Sequence, residues 1–271
     1  MMKHALFAVL LLACVPVAQA DQPIMSKMPR WSEGYGFQVI QEYRHKRDLL
    51  LGDDKVGDGL TEDVHILNLE AVYTWERWIR LTAKLPYILH AEREILDTQG
   101  NVQKQTDSGF GDLTLALPLK KYFNLDGRSG SWTLAPQLRV PLANQDEYSI
   151  GDGEWGAGLS LGYETETANW FVGVGASAWV FEDEEPFEAG AFFDFGRNLF
   201  GFGSSGQITW ETDFKWEDDG SYRLKGGLAL YWKFTDTIHG RAEWKHDFID
   251  HRGVLDHGNG ETIKIGLGFV Y

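Results

Sequence analysis

The sequence predicts an all-β fold, a transmembrane antiparallel up-and-down β-barrel of about 12 strands. Three observations predict it. Apolar residues recur at every second position along most of the chain, the period of a strand with one greasy side. The composition joins 11 Trp and 31 Gly to a negative mean hydropathy, which suits a barrel whose apolar face takes only alternate residues. Beyond residue 20 no run of even ten residues is uniformly apolar, so the bilayer is not crossed by a helix.

The first element is a leader. Residues 1–20, MMKHALFAVLLLACVPVAQA, have a basic start, an apolar run from Ala5 to Val15, Pro16 as a breaker, and Ala18-Gln19-Ala20 before Asp21. This is the pattern of a cleaved signal peptide, leaving residues 21–271 as the outer-membrane barrel domain. Leu12-Ala13-Cys14 also fits a lipoprotein reading in which Cys14 is acylated. With ordinary cleavage the exported chain keeps no cysteine, which argues against a disulfide-stapled scaffold. The formal charge of −15 argues against an extended nucleic-acid surface.

Twelve alternating segments follow: Tyr35 to Tyr43, Leu67 to Trp75, Ile79 to Leu89, Leu113 to Leu119, Trp132 to Leu142, Trp155 to Tyr163, Trp170 to Val180, Phe187 to Phe195, Ile208 to Trp216, Tyr222 to Phe234, Ile238 to Phe248, and Ile263 to Tyr271. In the third, Ile79, Leu81, Ala83, Leu85, Tyr87 and Leu89 share one face; a helix would mix Lys84 into that face, and Pro86 would break it. An even count places both chain ends on the periplasmic side. The expected outer connections are His45 to Glu62, Ala91 to Ser108, Ala143 to Glu154, Glu182 to Pro186, Glu217 to Ser221 and Ile249 to Gly260. Inner turns include Glu76-Arg77, Glu166 to Asn169 and Thr235 to Thr237, whereas Tyr122 to Ser131 and Gly196 to Gly206 are long for that side. Trp75, Trp78, Trp132, Trp155 and Trp170 lie near segment ends, as an aromatic girdle requires.

A soluble sandwich would place the polar face in water, whereas a barrel places it in the lumen. On that face Arg80, Lys84, Asp112, Arg139, Glu211, Lys225, Arg241 and Glu243 are the candidate selectivity residues. Opposed cations and acids would set a transverse field suited to small polar or zwitterionic solutes. They would equally serve to pair across the lumen and close it.

Other motifs carry less. Gly151 to Gly156 and Gly201 to Gly206 spell G-x-G-x-x-G, yet neither opens a helix after a buried strand, so no dinucleotide site is expected. His246, Asp250, His251 and His257 concentrate metal-ligating groups near one outer connection without the spacing of a closed site, which a solvated loop also explains. Acidic stretches at Asp53-Asp54, Glu182 to Glu185 and Glu217 to Asp219 fit plain solvation, attraction of cationic solutes, or divalent bridging to lipopolysaccharide phosphates. No cofactor is expected. No strand offers a His-x-Ser pair, so no enzyme is expected either.

The run Leu81 to Tyr87 (LTAKLPY), a loop, Ser108 to Leu115 (SGFGDLTL), and Leu138-Arg139-Val140-Pro141 resemble the family of outer-membrane channel barrels named for the MetA pathway of phenol degradation. The likeness is strongest over residues 67–163, and Pro141-Leu142-Ala143 replaces the usual Pro-Thr-Gly. The resemblance implies a barrel with a role in transport, including small organic or aromatic compounds. Lys264, Gly266, Phe269 and Tyr271 resemble the polar-x-Gly-x-x-aromatic-x-aromatic signal read by the barrel-assembly machinery.

The expected location is therefore the bacterial outer membrane, with outer-membrane lipid, lipopolysaccharide, the assembly machinery and a small-molecule solute as partners. Two functions stand at this point. One is a passive channel, the other a non-conducting barrel with a structural or surface-binding role; a lipid-modifying barrel enzyme is the lesser alternative.

Overall fold

The computed structural model describes residues 33–97, 99–143, 153–182, 186–201 and 204–271. The leader, the Cys14 reading and most of the Glu182 to Glu185 run lie outside them.

The described residues form fourteen strand segments: β1 (Gly34–Gly52), β2 (Asp54–Glu76), β3 (Ile79–Leu96), β4 (Val102–Phe110), β5 (Leu113–Ala116), β6 (Leu119–Leu125), β7 (Arg128–Val140), β8 (Gly156–Glu166), β9 (Trp170–Phe181), β10 (Glu188–Gly201), β11 (Ser204–Glu217), β12 (Tyr222–Lys233), β13 (Ile238–Gly258) and β14 (Glu261–Val270). β4, β5 and β6 are successive pieces of one wall-crossing strand between β3 and β7, so the closed antiparallel barrel has twelve staves. Its breaks have local causes. Gly111 and Asp112 leave the ladder opposite Pro86, which has no N–H to donate, and the Gly111 N–H instead reaches the Pro86 carbonyl at 2.9 Å. The second break falls at Leu117-Pro118.

Closure joins the two ends of the ladder. β14 pairs with β1 from Gly36↔Val270 to His45↔Glu261. Tyr35 and Tyr271 exchange backbone hydrogen bonds of 3.0 and 2.9 Å, and their rings stack 5.5 Å apart. Gly266 is required here, because a Cβ would lie 2.8 Å from Ile40 Cγ1. Among the described residues this pairing leaves no sheet edge open to lipid.

The strands run further than the apolar pattern alone indicated. The expected connection from His45 to Glu62 is ladder up to Gly52 and again from Asp54, and Tyr122 to Ser131 tightens to a turn at Asp126-Gly127, with Gly127 at φ 70°. β4 begins at Val102, inside the stretch expected to be loop. Pairing beyond the membrane depends on backbone hydrogen bonds and needs no greasy face, so polarity does not mark where a strand stops.

Burial is inverted relative to a soluble protein. Leu161, Leu228, Ile263, Ile265 and Leu267 are exposed on the outside, whereas Glu42, Asn68, Arg80, Glu211, Glu243 and Lys245 are buried inside. Trp75, Trp132, Trp170 and Tyr271 ring the inner end, matching an interfacial girdle. This is the architecture of bacterial outer-membrane barrels, and it places the chain in that membrane.

Candidate functional site

Strand parity builds the lumen. Gln38, Glu42, Arg44 and Lys46 of β1 point inward with Asn68 and Glu70 of β2, Arg80 and Lys84 of β3, and Arg139 of β7. Glu211, Asp213 and Lys215 of β11 do the same, with Arg223 and Lys225 of β12, Arg241, Glu243, Lys245 and Asp247 of β13, and Lys264 of β14.

Two recesses open among them, of 410 and 560 Å³. Arg44, Glu188 and Lys215 line both and so divide them. In the smaller one Trp179 and Phe192 face the cations of β12 to β14. The larger sets Lys84 and Arg139 beside Ile66, Pro86 and Ile88. The aromatic wall needs glycine behind it: a Cβ on Gly158 would lie 2.6 Å from Trp179, and one on Gly175 2.2 Å from Phe192.

Ion pairing is dense and one-sided. Arg241 contacts Glu211 at 3.1 Å and Glu243 at 2.5 Å; Lys245 contacts Asp213 at 2.5 Å and Glu211 at 2.9 Å; Lys264 reaches Glu243 at 3.3 Å. Glu42 takes Arg44 at 2.6 Å and Asn68 at 2.8 Å, Asp247 takes Lys225 at 3.2 Å, and Lys215 holds Glu188 and Glu217 at 2.6 and 2.5 Å. Lys84 and Arg223 have neither an ion pair nor a hydrogen bond among the described residues, and Lys84 is exposed to the larger recess. Arg139 stacks 4.4 Å from the Phe181 ring and 5.5 Å from Trp179.

The eight lumen candidates separate into kinds. Arg80 is buried on the periplasmic side, while Glu211, Arg241 and Glu243 form one cluster and Lys225 pairs nearby. Asp112 lines the larger recess as expected of a lumen residue, and its carboxylate also accepts the backbone N–H groups of Leu142, Ala143 and Gly153 at 3.1, 3.1 and 3.0 Å, so it ties together the described ends of the β7–β8 connection. Arg44 and Lys46 were missed because the expected strand ended at Tyr43; continuing the period of two through Glu42 would have found them.

The four metal candidates do not come together. His246 lies on the outer face, edge-on to Phe248. Asp250 takes Arg252 at 2.7 Å, His251 stacks on Tyr222 with Asp53 at 2.8 Å, and His257 is buried. Glu62, Asp256 and His257 do approach within 4.8 Å of one another, but Lys46 at 2.8 Å and Arg252 at 2.9 Å already neutralise the two acids.

No family model matches the chain, and no curated protein does. Among solved structures the chain is similar to the COG4313 outer membrane channel from Pseudomonas putida F1, at 17% identity and a TM-score of 0.71, covering 94% of this chain and 100% of that one. Weaker likenesses are the NanC porin, at 11% identity, 86% and 98% coverage and a TM-score of 0.49, and the KdgM porin, at 10%, 86% and 99%, and 0.48. The first of these likenesses agrees with the closed barrel read from this chain's own ladder.

Proposed function

We propose that this chain is a passive outer-membrane channel for small solutes, and that its lumen favours organic anions over cations. The observation that carries the reading is the pairing imbalance: Glu42, Glu188, Glu211, Asp213, Glu217, Glu243 and Asp247 are all ion-paired and Glu70 accepts from Gln38, while Lys84 and Arg223 have neither an ion pair nor a hydrogen bond among the described residues. A carboxylate entering the recess gains a cation without displacing one from an acid. Ile66, Pro86 and Ile88 beside Lys84 accommodate an apolar or aromatic body on the same solute. Twelve staves exceed the number whose side chains just fill a barrel, which leaves room for passage.

One observation favours the non-conducting alternative. Gln38, Thr74, Arg80, Ser131, Asn198, Gln207 and His239 are all at most 5% exposed and crowd the periplasmic half. Planar-bilayer recording under a KCl gradient, with swelling of liposomes in benzoate, separates the two. Discrete steps with an anion-directed zero-current potential support the channel. Absence of both steps and swelling overturns it, and a cation-directed potential overturns the anion preference.

A further inference from the structure

The connection that follows β13 does not stand outward as a free loop. β13 pairs with β12 as far as His251↔Tyr222, after which the chain turns and pairs with β1 through Gly52↔Arg252, Leu50↔Asp256, Leu49↔His257 and Asp48↔Gly258. At the turn Gly253 is pressed against the β11–β12 connection; a Cβ there would lie 2.2 Å from the Asp219 carbonyl oxygen, and its N–H donates to Ser221 Oγ at 2.9 Å. Val254 lines the larger recess with Ile66, Ile88 and Lys84. His257, 1% exposed, donates from Nε2 to the Glu94 carbonyl at the outer end of β3, 2.9 Å away. Arg252 braces the turn through Asp250 at 2.7 Å and Asp256 at 2.9 Å.

One short segment thus touches the β11–β12 turn, β1 and β3, points separated around the wall by β13, β14, β1 and β2. A segment held at such points lies across the mouth. We propose that residues 252–258 are a strap that narrows the outer mouth and sets the size of solute admitted, with His257 as its fastening to β3 and Arg252 as the brace that holds its turn.

This inference rests on the channel reading, so the experiment must tell the two failures apart. The full chain, Arg252→Ala with His257→Ala, and a chain lacking residues 252–257 are each purified and checked for the heat-modifiable migration of a folded barrel. They are then recorded in planar bilayers and assayed by liposome swelling with solutes of increasing size. A loosened or missing strap should raise single-channel conductance at least about twofold and admit larger solutes than the wild type does. If the shortened chain fails to fold, the double substitution alone decides. Steps in a strap variant and none in the wild type support the strap as a closure of the mouth and overturn the reading of the intact chain as a passive channel. Equal conductance and an equal size limit overturn the strap while leaving the channel intact. Silence from wild type and variants alike overturns both.

Discussion

Removing the two lumen cations that have neither an ion pair nor a hydrogen bond among the described residues, Lys84→Ala with Arg223→Ala, should weaken or reverse the preference for anions. Lys84 is exposed in the 560 Å³ recess, and Arg223 lines the 410 Å³ one. A carboxylate about 4 Å from an ammonium gains about 1 kcal/mol in bulk water and about 4 kcal/mol at the effective dielectric of a protein surface. A water-filled recess lies between these limits. The lower figure already corresponds to about a fivefold change in anion occupancy, since every 1.4 kcal/mol is tenfold. The anion-to-cation permeability ratio, taken from zero-current potentials in a KCl gradient near 0.1 M, should fall at least fivefold on that basis. Near 1 M salt the Debye length shrinks from about 10 to about 3 Å, so the difference between variant and wild type should contract. Lys233→Ala is the control, because Lys233 pairs with Asp236 at the inner end, 2.7 Å away. An unchanged ratio in the double variant, or the same change in the control, would refute the reasoning.

Glu211→Gln should destabilise the barrel by about 1–3 kcal/mol, less than the loss of an isolated buried pair because Glu243 and Asp213 still hold Arg241 and Lys245. Urea unfolding in micelles measures it, and an unchanged midpoint would contradict it. Asp112→Ala removes the acceptor shared by three backbone amides, so hydrogen exchange at Leu142, Ala143 and Gly153 should accelerate while the strand ladder stays protected. Gly175→Val would force a side chain to within 2.2 Å of Phe192 and 2.5 Å of the Leu161 carbonyl; a cost of about 1–3 kcal/mol or more should appear as a lower unfolding midpoint. Asp48 lies in the β1–β2 ribbon beyond the membrane, where burial pushes its carboxyl up but hydrogen bonds from Lys55, Asn259 and the Gly59 amide hold it down, from 3.8 to about 2. A depressed carboxyl stabilises above its unfolded value, so amide protection in this ribbon should be full above about pH 4 and fade as pH falls toward 2; Asp48→Asn should abolish that dependence.

Strand number, parity and the inward set from Arg80 to Glu243 were legible because side chains alternate strictly between lipid and lumen, and lipid tolerates only one kind of face. The same logic reads the closing strand, where Ile263, Ile265 and Leu267 face outward while Lys264 and Gly266 face inward. Partnership was not legible. Arg241 finds Glu211 and Glu243, Asp112 turns to backbone amides, and Lys84 makes no ion pair among the described residues; each outcome depends on which residues the register brings to one level across the barrel. The outer ends were also hidden, because their ladders beyond the membrane carry no greasy period. A linear pattern determines which way a side chain points. Only the closed barrel decides what it meets there, since those neighbours come from strands far away in sequence, and for the strap, from across the mouth.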